Sequence, residues 1–194
     1  MIGYVMGRVE DLTPSKTYID VNGVGYEVHI TLHTYESIKD KQTCKLFVHL
    51  QIREDAWVMY GFAEEIEKMA FLQLLSVSGV GAATSRIILS TLSTNDLSRI
   101  IANGDNKSLE KVKGIGAKTA QRIILELRGK MAEPTIANFN IPTHNTISND
   151  ALNALLGLGI AKANAESAIE KVKFQEGHEN YSVEQFIKIA LKNL

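Results

Sequence analysis

The chain has 194 residues, 45% of them hydrophobic, and a formal net charge of −1 at pH 7. This length accommodates one to three small domains with cores of their own. The sequence has no apolar run near the roughly 18 to 20 residues of a membrane span, and its start predicts no signal peptide. The single cysteine, Cys44, excludes an internal disulfide and suits a reducing cytoplasm, which is the predicted location.

Residues 1–63 alternate between apolar and polar side chains, which predicts β-strands. Asn22-Gly23 is a strong signal for a tight hairpin. The predicted strands cover residues 4–9, 18–21, 26–33, 46–53 and 56–62. About five strands in a domain of this size favour a small barrel of the OB type.

Two adjacent acids, Glu54 and Asp55, separate the last two predicted strands and should lie in solvent at a hairpin tip. One interpretation is a pair of solvated turn residues. In a DNA-binding chain, however, carboxylates repel phosphates and can steer which DNA structure fits. Trp57 and Tyr60 near this turn could stack on bases or pack in the barrel core. No further carboxylates, histidines or cysteines have convincing metal-ligand spacing, so no metal site is predicted.

Residues 64–132 have the periodicity of helices and predict an all-helical domain. Its first helix places one apolar stripe on Ile66, Met69, Ala70, Leu74 and Val77. Asn95 or Asp96 is the expected N-cap of a later helix, which should stop at Asn103-Gly104. This segment has ten basic and seven acidic residues, whereas each flanking segment has a net charge of −2. The positive third is therefore the one expected to meet an anionic partner.

Two glycine hairpins, Gly79-Val80-Gly81 and Gly114-Ile115-Gly116, open helices in this domain at a shift of 35 residues. The copies share glycines and small residues as well as apolar positions, so the repeat encodes backbone shape. Unpaired N–H groups at such helix starts, with the positive end of the helix dipole, predict an anion site. A tight turn between packed helices is the alternative, but the duplication favours phosphate binding.

Basic and hydroxyl side chains near the hairpins are the candidate contacts to phosphate, namely Arg86, Lys118, Thr119 and Arg122. The stretch from Lys113 to Thr119 does not fit an ATPase phosphate-binding loop, because Ala117 separates the glycine from the lysine. We therefore expect no catalytic site, no nucleotide hydrolysis by this chain alone, and no cofactor.

Residues 133–147 contain two of the three prolines and no periodic pattern, which predicts a flexible linker. Residues 148–194 predict a small three-helix domain, with Ser182 and Gln185 as a capping box. A helical module this short often exists to be bound, although a merely packed bundle is the alternative. The apolar residues predicted to bind a partner are Leu155, Leu158, Ile187 and Leu191.

Several segments, in this order, carry a resemblance to one family. They are Met1-Ile2-Gly3, Val24-Gly25-Tyr26-Glu27-Val28, Arg53-Glu54-Asp55-Ala56, Tyr60-Gly61-Phe62, Ser78-Gly79-Val80-Gly81 and Val112-Lys113-Gly114-Ile115-Gly116-Ala117-Lys118-Thr119-Ala120. Together they resemble the RuvA family of bacterial Holliday-junction binding proteins. The resemblance covers the whole chain and is strongest over residues 1–132.

The resemblance implies a homotetramer of L-shaped subunits that holds a four-way junction open in a square plane, as one tetramer or two. Glu54 and Asp55 would form an acidic pin at the crossover, and the hairpins would hold phosphates of the arms. The third domain, a three-helix fold like that of UBA domains, would bind RuvB, a hexameric ATPase. Branch migration by that helicase complex and cleavage by the RuvC endonuclease would then serve DNA recombination, DNA repair and the SOS response to DNA damage.

The sequence departs from the family at Ala82-Ala83, where relatives commonly have a proline and a basic residue. The first hairpin is therefore expected to depend on its backbone. A glycosylase-type repair enzyme is the runner-up, since Gly114 to Ala120 also resembles the hairpin of DNA glycosylases. Such enzymes need an aspartate soon after the hairpin, and the next one here is Asp150. A third possibility is that the hairpins mediate only protein association.

Overall fold

The structure is a computed structural model that describes residues 1–131, 144–173 and 181–193. The chain divides into two compact units, the first ending and the second beginning between residues 131 and 144. The first unit contains a β-barrel followed by a helical domain, and the second contains three helices. No helix in these described ranges is long and apolar enough to cross a membrane.

Five strands form the barrel: β1 (Tyr4–Glu10), β2 (Lys16–Val21), β3 (Val24–Ile30), β4 (Thr43–Ile52) and β5 (Trp57–Phe62). They close in the order β1-β2-β3-β5-β4, with β3 and β5 parallel and the other pairs antiparallel. Alternate residues such as Ile19, Val28 and Leu46 face inward and are fully buried. The predicted five-stranded barrel of the OB type is thus confirmed.

The sequence predicts that the third strand runs to residue 33, but in the structure β3 ends at Ile30 and a helix follows. Thr31 is the N-cap of α1 (Leu32–Ile38), and its side chain accepts a hydrogen bond from the Thr34 amide. Leu32 and His33, which continue the alternation in the sequence, therefore lie in a helix. The Thr31 hydroxyl accepts from an amide of the first helical turn, which favours a helix start at this position over a longer strand.

The helical domain comprises α2 (Glu65–Ser76), α3 (Ala82–Thr91), α4 (Thr94–Asn103), α5 (Asn106–Glu110) and α6 (Ala117–Leu127). The N-cap of α4 is Ser93, which accepts from the Asp96 amide, rather than the predicted Asn95 or Asp96. The same helix stops at Gly104 in the left-handed conformation (φ 70°), as predicted.

The predicted apolar stripe of α2 is correct for Ala70, Leu74 and Val77, which are buried, and wrong for its other two residues. Ile66 and Met69 are 48% and 56% exposed, whereas Glu67 and Phe71 are buried. The rings of Phe71 and Phe62 lie 4.9 Å apart, so the end of β5 packs against α2 and selects the face turned inward. Periodicity identified the helix, but this contact with the barrel decided its rotation.

A buried carboxylate joins α2 to the barrel. Glu67 accepts hydrogen bonds from the hydroxyls of Thr31 and Thr34, the latter at 2.8 Å. Thr34 Oγ1 in turn accepts from the Ala63 amide at 3.0 Å. Burial raises the pKa of Glu67, and the two hydroxyl donors oppose that rise. These bonds connect the barrel to the helical domain and hold the two as parts of one unit.

The second unit contains α7 (His144–Gly157), α8 (Lys162–Lys173) and α9 (Val183–Lys192), as the three-helix prediction requires. Phe186 and Leu155 lie in its core, and the Ser182 and Gln185 capping box is present. Helix α7 includes residues 144–147, which the sequence assigns to the linker, because Ile147 packs against this core. The other residues of the predicted linker, 133–143, lie outside the described residues.

Candidate nucleic-acid interface

The two glycine hairpins have the same backbone geometry. Gly79 and Gly114 have φ values of 87° and 89°, in the left-handed region that side chains disfavour. Gly81 and Gly116 follow with φ/ψ of −89°/171° and −92°/168°, and each is the N-cap of the next helix. The sequence repeat therefore corresponds to a repeat of backbone shape.

The middle residues of the hairpins, Val80 and Ile115, anchor them to the protein. Both side chains are buried in the core of the helical domain. Their amides donate to the carbonyls of Val77 and Val112, each at 3.0 Å. Since side chain and amide are both engaged within the protein, Val80 and Ile115 have no free hydrogen-bond donor for a ligand.

Each glycine N-cap leaves free N–H groups on the first turn of its helix. Neither cap has a side-chain acceptor, and the amide four residues later donates to the cap carbonyl at 2.9 Å. The amides of residues 82–84 and 117–119 precede that bond and have no acceptor within the helix. With the positive helix end, each set forms a site suited to phosphate.

The side chains that follow the two hairpins differ in charge. Lys118 is exposed on the first turn of α6, and Thr119 beside it is half-buried. Their counterparts in α3 are Ala83, which is exposed, and Thr84. The helix after the second hairpin therefore carries a cation on its own first turn, and the helix after the first hairpin does not.

Arg122 links the second copy to the first hairpin. Its Nη1 atom donates to the Ser78 carbonyl at 3.0 Å and lies 3.3 Å from Ser78 Oγ. The Nε atom is 4.0 Å from a carboxylate oxygen of Glu126. This predicted phosphate contact thus also supports the hairpin ahead of Gly79. The sequence does not predict this contact of Ser78, because Arg122 lies 44 residues away in the chain.

Arg86 is directed to the barrel. Its Nη1 atom donates to the Ser15 carbonyl at 3.1 Å and lies 3.0 Å from His29 Nδ1. The pKa of His29 is lowered by burial and by the Arg86 charge, with Glu27 opposing. A phosphate contact by Arg86, as predicted from sequence, would have to form in addition to these bonds.

Glu54 and Asp55 form the tip of the hairpin between β4 and β5. Ile52 pairs with Trp57, and the Arg53 amide donates to the Ala56 carbonyl at 2.9 Å. Only the two acids lie between these bonded residues, and both are exposed. The structure therefore presents two carboxylates in solvent at the end of a two-stranded ribbon.

The two aromatic candidates near this turn have different environments. Tyr60 is half-buried, with its ring 5.2 Å from that of Phe71 and 5.8 Å from that of His29. Trp57 is 75% exposed. Of the two, Trp57 is the one accessible to a ligand.

Within residues 1–131, 144–173 and 181–193, no group of three or more His, Cys, Asp or Glu side chains converges as a metal site. In particular, His29 lies on β3 and His33 on α1, so the two histidines are not neighbours on one strand.

The four apolar residues predicted to bind a partner in the second unit separate into two groups. Leu155 is fully buried, and Ile187 packs against the same core. Leu158 and Leu191 are exposed. The latter two are therefore available to a partner, whereas the former two stabilise the fold.

Family models match most of the chain. A model described as RuvA N terminal domain matches residues 1–61, and one described as SAM-like Helix-hairpin-helix tandem matches residues 71–130. A third, RuvA, C-terminal domain, matches residues 146–194. These matches cover the barrel, the hairpins and the three-helix unit in turn.

Full-length relatives agree with these models. A protein from Bacteroides fragilis is 42% identical over 203 residues, covering 100% of both chains. One from Cytophaga hutchinsonii is 40% identical over 200 residues, covering 99% of each, and one from Amoebophilus asiaticus is 42% identical over 194 residues, covering 99% of this chain and 100% of its own. All three are named Holliday junction branch migration complex subunit RuvA. On these matches, the chain belongs to the RuvA family.

Proposed function

We propose that this chain binds four-way (Holliday) junction DNA as the non-catalytic subunit of a branch migration complex. The observation that carries the proposal is the pair of hairpins with one backbone geometry, each opening a helix with free amides. Two phosphate sites in one compact domain grip DNA by its backbone and read no sequence. The names of the full-length relatives support a junction as the DNA structure.

The acidic turn supplies selectivity in this proposal. Glu54 and Asp55 repel phosphates, so the tip of the β4–β5 ribbon fits where phosphates are spread apart. The open centre of a junction provides such a place, and an intact duplex does not. The hairpins thus supply affinity and the turn supplies discrimination.

The partners follow from the family. We infer a homotetramer, one or two per junction, in which each of the four subunits of a tetramer holds one arm. The RuvB ATPase supplies the energy for migration and binds the three-helix unit, where Leu158 and Leu191 are exposed. The RuvC endonuclease resolves the junction. The glycosylase alternative has no support among the full-length relatives, which carry the junction name.

The direct test compares a synthetic four-way junction with a linear duplex of equal length over a salt series. We expect much tighter binding of the junction and a logarithmic salt slope of about −0.9 for each phosphate neutralised. Equal affinity for the two DNAs at every salt concentration would refute the proposal. Base release from damaged duplex by the purified chain would instead favour a glycosylase.

The role of the acidic turn is tested by combining Glu54→Ala with Asp55→Ala. Both side chains are exposed, so the fold should be unaffected. Removing the repulsion should keep or raise the affinity for the junction and for duplex. The ratio of junction affinity to duplex affinity should fall. A large loss of affinity would show that the carboxylates make attractive contacts or support the fold.

A further inference from the structure

The β4–β5 ribbon extends beyond the barrel core. In its register, Ile52 pairs with Trp57 and Leu50 with Met59. Residues two apart on a strand share a face, so all four lie on the face that points into the barrel. The same face carries Val48, which is fully buried. The inward face of the barrel therefore continues toward the acidic turn.

Burial along this face falls abruptly at its end. Met59 is 7% exposed and Leu50 is half-buried, whereas Ile52 is 62% and Trp57 is 75% exposed. These two side chains, the apolar pair, lie opposite each other across the ribbon. Covering two large apolar side chains with a second surface removes them from water and is therefore favourable. One residue on each side, Arg53 after Ile52 and Ala56 before Trp57, separates the apolar pair from Glu54 and Asp55.

We infer that the apolar pair stacks on nucleobases exposed at the open centre of the junction, with the Trp57 indole as the principal contact. The inference rests on the proposed function, because it places the neighbouring acidic turn at the crossover. Base faces are the apolar part of DNA, and their stacking on aromatic rings does not depend on base identity. The pair thereby adds an attractive contact where the acidic turn supplies only repulsion.

Charge selects bases over the other surfaces that could cover the pair. Arg53, the basic residue at this tip, alternates onto the other face of the ribbon, where its Nη2 atom lies 3.4 Å from Gln51 Oε1. The charges nearest the pair on its own face are therefore the two carboxylates, and they make the DNA backbone an unfavourable neighbour. A second copy of this chain, placed face to face on the pair, would bring its own Glu54 and Asp55 close to these two. Splayed bases are uncharged and planar, and they meet neither obstacle.

Trp57 is the single tryptophan of the chain, so tryptophan fluorescence reports on the surroundings of this one residue. Emission of the full chain is recorded with a four-way junction and with a linear duplex of the same arm sequence, while a gel shift measures binding separately. We expect the junction to quench the emission strongly and the duplex to change it little. Trp57→Ala should bind the junction about tenfold more weakly, and Trp57→Phe should retain most of the affinity.

Tyr4→Ala is the matched control, because Tyr4 is an exposed aromatic residue of β1 that lies outside the ribbon tip. It should leave junction affinity unchanged. Junction binding with unchanged Trp57 emission and normal affinity of Trp57→Ala overturns the inference but leaves the proposed function standing. If the emission changes with protein concentration and not with DNA, a second copy of the chain covers the apolar pair. That result also overturns the inference. Failure of the gel shift refutes the proposed function and the inference with it.

Discussion

The two helix-hairpin-helix copies share a backbone and differ in the side chains around it. Gly79 and Gly114 have nearly equal φ values, 87° and 89°. Yet Lys118, on the first turn after the second hairpin, has Ala83 as its counterpart in the first. The first turn of α3 therefore offers amides alone, and the first turn of α6 adds a cation.

The arginines of the two copies also have different roles. Arg86 of the first copy contacts the barrel, whereas Arg122 of the second supports the first hairpin at Ser78. Backbone geometry and charge are thus separable contributions to this interface. Duplication has kept the geometry that orients amides, while the basic side chains have acquired separate positions and partners.

The largest effect is expected from blocking both amide sites with Gly81→Asp and Gly116→Asp. Neither position has an atom within 4 Å of an added Cβ, so the side chains fit. Aspartate at an N-cap accepts from first-turn amides and should raise stability by a few tenths of a kcal/mol. The same carboxylates should repel phosphate and lower junction affinity on the order of a hundredfold. Thermal unfolding and junction binding measure the two opposite changes.

The matched control replaces the same glycines with asparagine, which caps without a charge. The asparagine variant should lose much less junction affinity than the aspartate variant, because its side chains compete with phosphate for the first-turn amides but do not repel phosphate. If the double aspartate variant binds junctions normally, the amides are not the phosphate sites and the comparison of the two hairpins loses its functional meaning.

A smaller effect is expected from exchanging the charges that distinguish the copies. Lys118→Ala should weaken junction binding several-fold and reduce the salt slope by about 0.9 for each phosphate that the lysine neutralises. Ala83→Lys places a cation at the equivalent, exposed position of α3 and should change both quantities in the opposite direction. An unchanged salt slope in both variants would show that neither position approaches a phosphate.

The brace between the copies is tested by Arg122→Ala. Removing the bonds to Ser78 should cost about 1 kcal/mol of stability and speed hydrogen exchange at residues 79–81. Exchange at residues 114–116 should be unaffected, which provides an internal control. Equal protection of the first hairpin in the variant and the parent chain would show that Arg122 does not support it. Affinity alone does not distinguish a brace from a direct phosphate contact.

Local rules predicted most of the elements from the sequence. Alternation and Asn22-Gly23 predicted the barrel strands, and the paired glycines predicted where α3 and α6 begin. These features depend on neighbours in the chain, such as a turn or a cap. The rules failed at two helix starts, where Thr31 caps α1 and ends the alternation and where Ser93 caps α4. The same local rules placed the acidic turn at a hairpin tip, where the structure has it.

Tertiary contacts decided what the sequence did not predict. Phe62 packing on Phe71 turned Ile66 outward, although Ile66 fits the apolar period of α2. The contacts of an arginine side chain depend likewise on which residues the fold brings near it. Arg86 lies one turn into α3 like a phosphate contact, but Ser15 and His29, far away in sequence, bind it. Periodicity contains no information about such partners.

The smallest effect on DNA binding is expected from Arg86→Ala. This variant tests whether Arg86 serves only the contact with the barrel, unlike Arg122, which supports a hairpin. Removing the Arg86 charge should raise the pKa of His29, which NMR titration of the ring measures. Because the folded-state pKa of His29 is lowered, its contribution to stability is present above the ordinary value of 6.5 and is lost as the pH falls below it. The variant should therefore lose less stability on acidification, while its junction affinity changes little. A junction affinity as weak as that of Lys118→Ala, together with an equally reduced salt slope, would instead place Arg86 on a DNA phosphate.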